Sequence, residues 1–124
     1  MKDITINLKY LRELSGNDNQ FMAEMISLFL KQTPTNMSTL ILYLQKQDWE
    51  NLKKLAHKMT SGVALMGIKE LQNLLAELQT YPKNQLNVDL LPLKVSELKD
   101  IYHKATEALQ KELSGLSQTG FSKN

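Results

Sequence analysis

The stretch Asp48-Trp49-Glu50-Asn51-Leu52-Lys53-Lys54-Leu55-Ala56-His57-Lys58-Met59-Thr60-Ser61-Gly62-Val63-Ala64-Leu65-Met66-Gly67 decides the fold. Within it Trp49, Leu52, Ala56, Met59, Val63 and Met66 recur in alternating steps of three and four. At ~3.6 residues per turn that spacing puts all six on one face of a helix. Asp48 can cap its start by accepting a backbone N–H, and Gly67 can end it in a left-handed conformation. A rod that is apolar along one flank only must bury that flank against other elements, so the neighbouring segments are read for matching stripes.

Upstream, Met22, Ile26, Leu30, Thr33, Met37, Leu40 and Leu44 step by four and three, after a cap at Asn17 or Asp18. The stripe keeps its phase across Pro34, which favours one kinked helix over two. Before it, Leu8, Leu11 and Leu14 form a short helix that stops at Ser15-Gly16. Downstream, Leu71, Leu74, Leu75 and Leu78 repeat the pattern until Tyr81-Pro82, because the residue before a proline resists the helical region. Residues 82–89 read as a polar linker. The last helix starts near residues 90–92 and carries Val95, Leu98, Tyr102, Ala105 and Leu109. Four amphipathic helices with short connections bury their seams against one another, so the fold class is all-α: an antiparallel four-helix bundle with a short additional N-terminal helix. The bundle domain is expected over residues 1–116, and residues 117–124 are expected to be a disordered C-terminal tail.

Composition agrees. The chain has 124 residues, room for one domain, with 42% hydrophobic and 23% charged residues, too apolar for a disordered chain. Leu (23) and Met (6) far outnumber the β-branched apolar residues Ile (6) and Val (3), which favours helices. The net charge of +2 falls far short of the basic excess of nucleic-acid binders, so no nucleic-acid partner is expected. Apolar runs such as Leu40-Ile41-Leu42-Tyr43-Leu44 are well under the ~18 residues of a membrane span, so no membrane association is expected either. The start Met1-Lys2-Asp3-Ile4-Thr5 lacks a secretory h-region, and a cytoplasmic location is expected. With no cysteine there is no thiolate chemistry. The two histidines, His57 and His103, lack metal-ligand spacing, and no glycine-rich phosphate loop is present, so neither a metal nor a nucleotide cofactor is expected.

Placed at ~100° per residue, His57 falls roughly 140° from the centre of the apolar seam, on the water side of a core helix. Lys53 and Lys54 lie one turn before it, Ser61 one turn after, Ala64 two turns after, and Lys58 beside it. A long helix ordinarily covers its solvent face with long polar side chains, so Ser61 and Ala64 leave a shallow platform next to the imidazole. Neutral imidazole is a good nucleophile near pH 7, its unperturbed pKa being about 6.5, and nearby ammonium groups favour a bound anion. On geometry alone, an exposed histidine among lysines is ordinarily a solvated surface. His103, near the seam edge of the last helix beside Asp100 and Lys104, is read as structural or solvated, and Trp49 and Met22, Met25, Met37, Met59 and Met66 as core.

The stretch from Leu55 to Gly67 resembles the histidine-containing phosphotransfer (HPt) domains of bacterial multistep phosphorelays. The family pattern runs Ala-His-x-Leu-Lys-Gly-Ser, then mostly small residues, then an apolar residue and a glycine ten positions after the histidine. Ala56, His57, the apolar Met59, Met66 and Gly67 fall in register. Leu28-Phe29-Leu30-Lys31-Gln32-Thr33-Pro34 and Asp48-Trp49-Glu50-Asn51-Leu52 look like the two preceding family segments, so the resemblance spans about residues 8–81. Two positions depart from the pattern. Thr60 stands where the family usually has lysine, and Ser61 where it usually has glycine, which comes one place later as Gly62.

The resemblance implies that His57 accepts a phosphoryl group from an aspartyl phosphate on a response-regulator receiver domain and passes it to the aspartate of another. Lys53, Lys54, Lys58, Thr60, Ser61 and Ala64 would then face the phosphoryl group or the partner. Such a chain is a phosphoryl carrier with no kinase or nucleotide-binding site of its own, and Mg2+ is expected on the receiver, whose carboxylates the lysines would complement. Receivers are the expected partners, a hybrid sensor histidine kinase is a further candidate, and a monomer is expected. Met1 and the polar tail favour a free-standing chain. A second reading is a helical docking domain that binds a receiver and is never phosphorylated, for which the uncharged Thr60 is the best argument. A third, His57 as a general base, fares worse, because a convex helix face offers neither a desolvated pocket nor an orienting acid.

Overall fold

A computed structural model describes residues 4–83 and 85–121. Five helices follow in order, α1 (Lys9–Ser15), α2 (Asn19–Gln45), α3 (Trp49–Leu65), α4 (Lys69–Thr80) and α5 (Leu91–Phe121), with no strand among the described residues. Connections of three residues separate α2 from α3 and α3 from α4. Links that short force each pair to run antiparallel. α2 packs on α3, α3 on α4, α4 on α5 and α5 back on α2, closing the ring of an antiparallel four-helix bundle, while α1 packs on α2.

The ends of the helices have local causes. Asp18 caps α2 by accepting from the N–H groups of Gln20 (2.9 Å) and Phe21 (3.2 Å). Asp48 caps α3, accepting from the N–H of Asn51 at 3.3 Å and its side-chain amide at 2.7 Å. α3 ends at Gly67, whose φ of 64° is left-handed, with the N–H of Ile68 reaching back to the carbonyl of Val63. Here glycine is required twice over, since a Cβ would also overlap the carbonyl oxygen of Asn7. The backbone N–H of Asn7 donates to the Gly67 carbonyl at 3.2 Å, and Ile4, Ile6 and Leu8 rest half-buried on the core. Residues 4–8 therefore strap the α3–α4 turn, a feature that the helical period does not announce.

The α4 stripe of Leu71, Leu74, Leu75 and Leu78 is buried as its spacing requires, as are Val95, Leu98, Tyr102, Ala105 and Leu109 on α5. α2 differs in detail. It runs unbroken through Pro34, but Phe29 is buried where the stripe names Leu30, which is only half-buried, as are Leu44 and, on α3, Trp49. The Phe29 ring stacks on that of Tyr102 with centroids 5.9 Å apart, which draws this turn of α2 toward α5. Thr33 sits in the core because its hydroxyl donates to the Phe29 carbonyl at 2.7 Å. The polar linker is not structureless: it folds into 3-10 turns at Tyr81–Lys83 and Gln85–Leu90. α5 continues to Phe121, past the boundary read at residue 116, and residues 122–124 of the expected tail lie outside the described residues.

Candidate functional site

α3 presents one turn of its backbone to the core through Ala56 and Met59, both buried, and this turns the intervening His57 and Lys58 outward, where both are exposed. The imidazole is not loose. Its Nδ1 lies 3.1 Å from Oε1 of Gln79, near the end of α4. The amide of Gln79 is itself held, its Nε2 donating to the carbonyl of Leu75 at 3.1 Å and to Oγ1 of Thr60 at 3.2 Å. A backbone carbonyl can only accept, so the nitrogen of the amide faces Leu75 and Thr60 and the oxygen faces His57. That oxygen also only accepts, so Nδ1 carries the proton. The unshared pair is left on Nε2, on the ring edge away from Gln79.

Gln79 was not among the residues singled out from sequence. It lies 22 positions from His57 on another helix. The available signal was its position one turn after Leu75 and next to Leu78, at the edge of the α4 stripe, where a polar side chain faces the neighbouring helix.

The other residues expected at the site divide into four groups. Thr60 is half-buried and turned inward: its hydroxyl donates to the Ala56 carbonyl at 3.1 Å and accepts from Gln79, so it is spent within the protein instead of facing a phosphoryl group. Lys58 and Ser61 are exposed and line a shallow groove of about 860 Å³ between α1, α2 and α3, together with Tyr10, Leu14, Leu28 and Lys31. Ala64, half-buried, opens instead onto a second groove bordered by Lys9, Lys69 and Glu70. Lys54 pairs with Glu50 across one helical turn at 3.7 Å, an exposed contact of little strength, and Lys53 is half-exposed.

The first groove adds something the sequence reading lacked. Tyr10, Leu14 and Leu28 are 59%, 57% and 45% exposed, an apolar border beside a histidine-bearing ridge of small residues. Among the described residues no group of three or more histidine, aspartate or glutamate side chains is placed to hold a metal ion, and no helix is long and apolar enough to cross a membrane. The arrangement can therefore offer one oriented nucleophilic nitrogen, nearby ammonium groups and a partly apolar surface.

Comparison with known proteins supplies the context. No curated protein matches the chain. Among solved structures, the crystal structure of the HPt domain from a sensor hybrid histidine kinase of Shewanella superposes with a TM-score of 0.75 at 25% identity, covering 90% of this chain and 96% of that one. The family model of the Hpt domain matches residues 24–119, from the second turn of α2 through nearly all of α5, and so extends on the C-terminal side well past the segment that carried the resemblance in sequence. Spanning more than half of the chain and joined to the shared bundle, that match places this chain in the HPt domain family, whose members serve phosphotransfer in two-component phosphorelays.

Proposed function

We propose that His57 is the phosphoryl-accepting residue and that the chain carries the group between aspartates of response-regulator receiver domains. The observation that carries this reading is an exposed imidazole whose Nδ1 is tied to Gln79, which leaves the nucleophilic pair on Nε2. In the forward step Nε2 attacks the phosphorus of an aspartyl phosphate. The P–N bond forms, the P–O bond breaks, and the aspartate leaves as carboxylate. The ring becomes a cation that still donates its Nδ1 proton to Gln79, so the same hydrogen bond steadies the charge that develops during transfer. In the return step a second receiver aspartate attacks the phosphorus and neutral imidazole departs.

The surroundings suit such an encounter. Ser61 leaves the approach to His57 low, Tyr10, Leu14 and Leu28 give a receiver apolar contact, and Lys31 and Lys58 complement its metal-binding carboxylates. Interaction through these exposed charges is transient and weakens with salt.

The test is incubation with a receiver phosphorylated on its aspartate. Label stable to alkali and labile to acid is expected on the wild-type chain and absent from His57→Ala. Label persisting on His57→Ala overturns the assignment to this residue. No label on either, with receiver binding retained, establishes the docking domain instead.

A further inference from the structure

We infer that Thr60 is a positioning residue that sets the tautomer of His57 through Gln79, in the place where the family usually carries a charged lysine. This rests on the proposed role of His57 and goes beyond it, since it gives the uncharged residue a task in the same site. The hydrogen-bond polarity is imposed from two main-chain carbonyls, one on each helix. On α3 the carbonyl of Ala56 takes the proton of the Thr60 hydroxyl at 3.1 Å, so Oγ1 can offer only unshared pairs to its other neighbour. On α4 the carbonyl of Leu75 takes one N–H of Gln79 at 3.1 Å. The second N–H of that amide lies 3.2 Å from Oγ1 of Thr60, and Oε1 is left for Nδ1 of His57 at 3.1 Å.

An amide held by one anchor can swing about its last torsion, but an amide whose two N–H groups point at acceptors on different helices has its plane fixed. The direction of every bond in the chain from Ala56 to His57 then follows without choice. A hydroxyl is suited to this position because it donates and accepts at once; the ammonium of a lysine has three donors and no acceptor, and cannot receive the N–H of Gln79. The departure from the family pattern therefore exchanges a positive charge near the phosphoryl group for a firmer hold on the ring that bears it.

Two readouts on the full chain test this. Long-range proton–nitrogen correlation at pH 8 reports the tautomer of the neutral His57 ring, and acceptance of phosphoryl from a phosphorylated receiver reports its use. Wild type is expected to hold the proton on Nδ1. Thr60→Val keeps the shape and removes the hydroxyl, and is expected to lower the Nδ1–H population and slow acceptance about three- to tenfold, the range set by loss of one neutral hydrogen bond. Thr60→Ala, without the β-branch, repeats the measurement should Val disturb packing, and Thr60→Ser is expected to restore both readouts to within about twofold of wild type, since its hydroxyl replaces the missing partner. An unchanged tautomer in Thr60→Val and Thr60→Ala overturns the inference. A tautomer that shifts as described in a chain that accepts no phosphoryl group supports the positioning role and refutes the carrier reading separately.

Discussion

Gly16 and Gly67 share a φ of 64° but not a neighbourhood, and alanine at each separates the cost of the backbone from the cost of the contact. At Gly16 a Cβ meets nothing within 4 Å. Gly16→Ala is therefore expected to lose only the left-handed penalty, about 1 kcal/mol. At Gly67 the same atom would overlap the carbonyl oxygen of Asn7 and lie 2.8 Å from its carbon, and backbone cannot step aside as a flexible side chain would. Residues 4–8 must lift. That breaks the 3.2 Å bond from Asn7 to the Gly67 carbonyl and exposes the half-buried Ile4, Ile6 and Leu8. With about 1 kcal/mol for the bond and a similar amount for each partly buried side chain, Gly67→Ala is expected to lose about 3–5 kcal/mol. In a chain of 124 residues 1 kcal/mol corresponds to about 4 °C, so melting followed by circular dichroism should fall by about 4 °C for Gly16→Ala and about 12–20 °C for Gly67→Ala. Equal falls would refute the strap.

Two further predictions follow from burial and access. Burial raises the Tyr102 hydroxyl well above the usual tyrosine range, so the folded chain keeps a proton that the unfolded chain releases near pH 10; stability should hold below pH 10 and fall above it by up to ~1.4 kcal/mol per pH unit. Lys94, raised first by its hydrogen bond to Glu77, also loses its contribution in this alkaline window, so the check is urea unfolding at pH 8, 10 and 11.5 in wild type and Tyr102→Phe, with the shallower slope expected in the variant. Ser61→Gln places a long neutral side chain one turn from His57 on the groove wall, and should slow phosphoryl acceptance about tenfold while leaving the melting temperature within about 2 °C, as befits an exposed helical position.

What could be read from sequence was whatever repeats. The four leucines of α4 and the exposure of His57 both follow from the helical period, and both are found in place. Position by position the period is blunter. It assigned Leu30 to the α2 seam, whereas Phe29, one residue earlier, fills the core against Tyr102. It is silent on residues 4–8, whose half-buried Ile4 and Ile6 belong to no helix. It also does not reveal hydrogen bonds between helices, so Gln79 was missed and Thr60 was expected to face outward. Both sit at the margin of an apolar stripe, where one side chain can reach solvent or a neighbouring helix and only packing decides which.

The glycine ten positions after the histidine therefore has a meaning that its lack of a side chain hides. α3 and α4 run antiparallel and rise side by side from the same turn, at ~1.5 Å per residue. Counted from Gly67, His57 stands ten residues back along α3 and Gln79 twelve residues on along α4, which brings the two to similar heights of roughly 15 and 18 Å above the turn. An added residue in the turn would rotate α4 by ~100° relative to α3 and carry Gln79 away from the ring. The tight left-handed turn, held by Asn7, thus keeps the register in which an amide from one helix meets an imidazole and a hydroxyl on the other. An exposed histidine is free by default, and nothing on its own helix prevents it from sampling either tautomer. The orientation of the His57 ring in this bundle is a property of the α3–α4 pair, and the small residues beside His57 leave it exposed because the neighbouring helix, not a covering side chain, holds the ring.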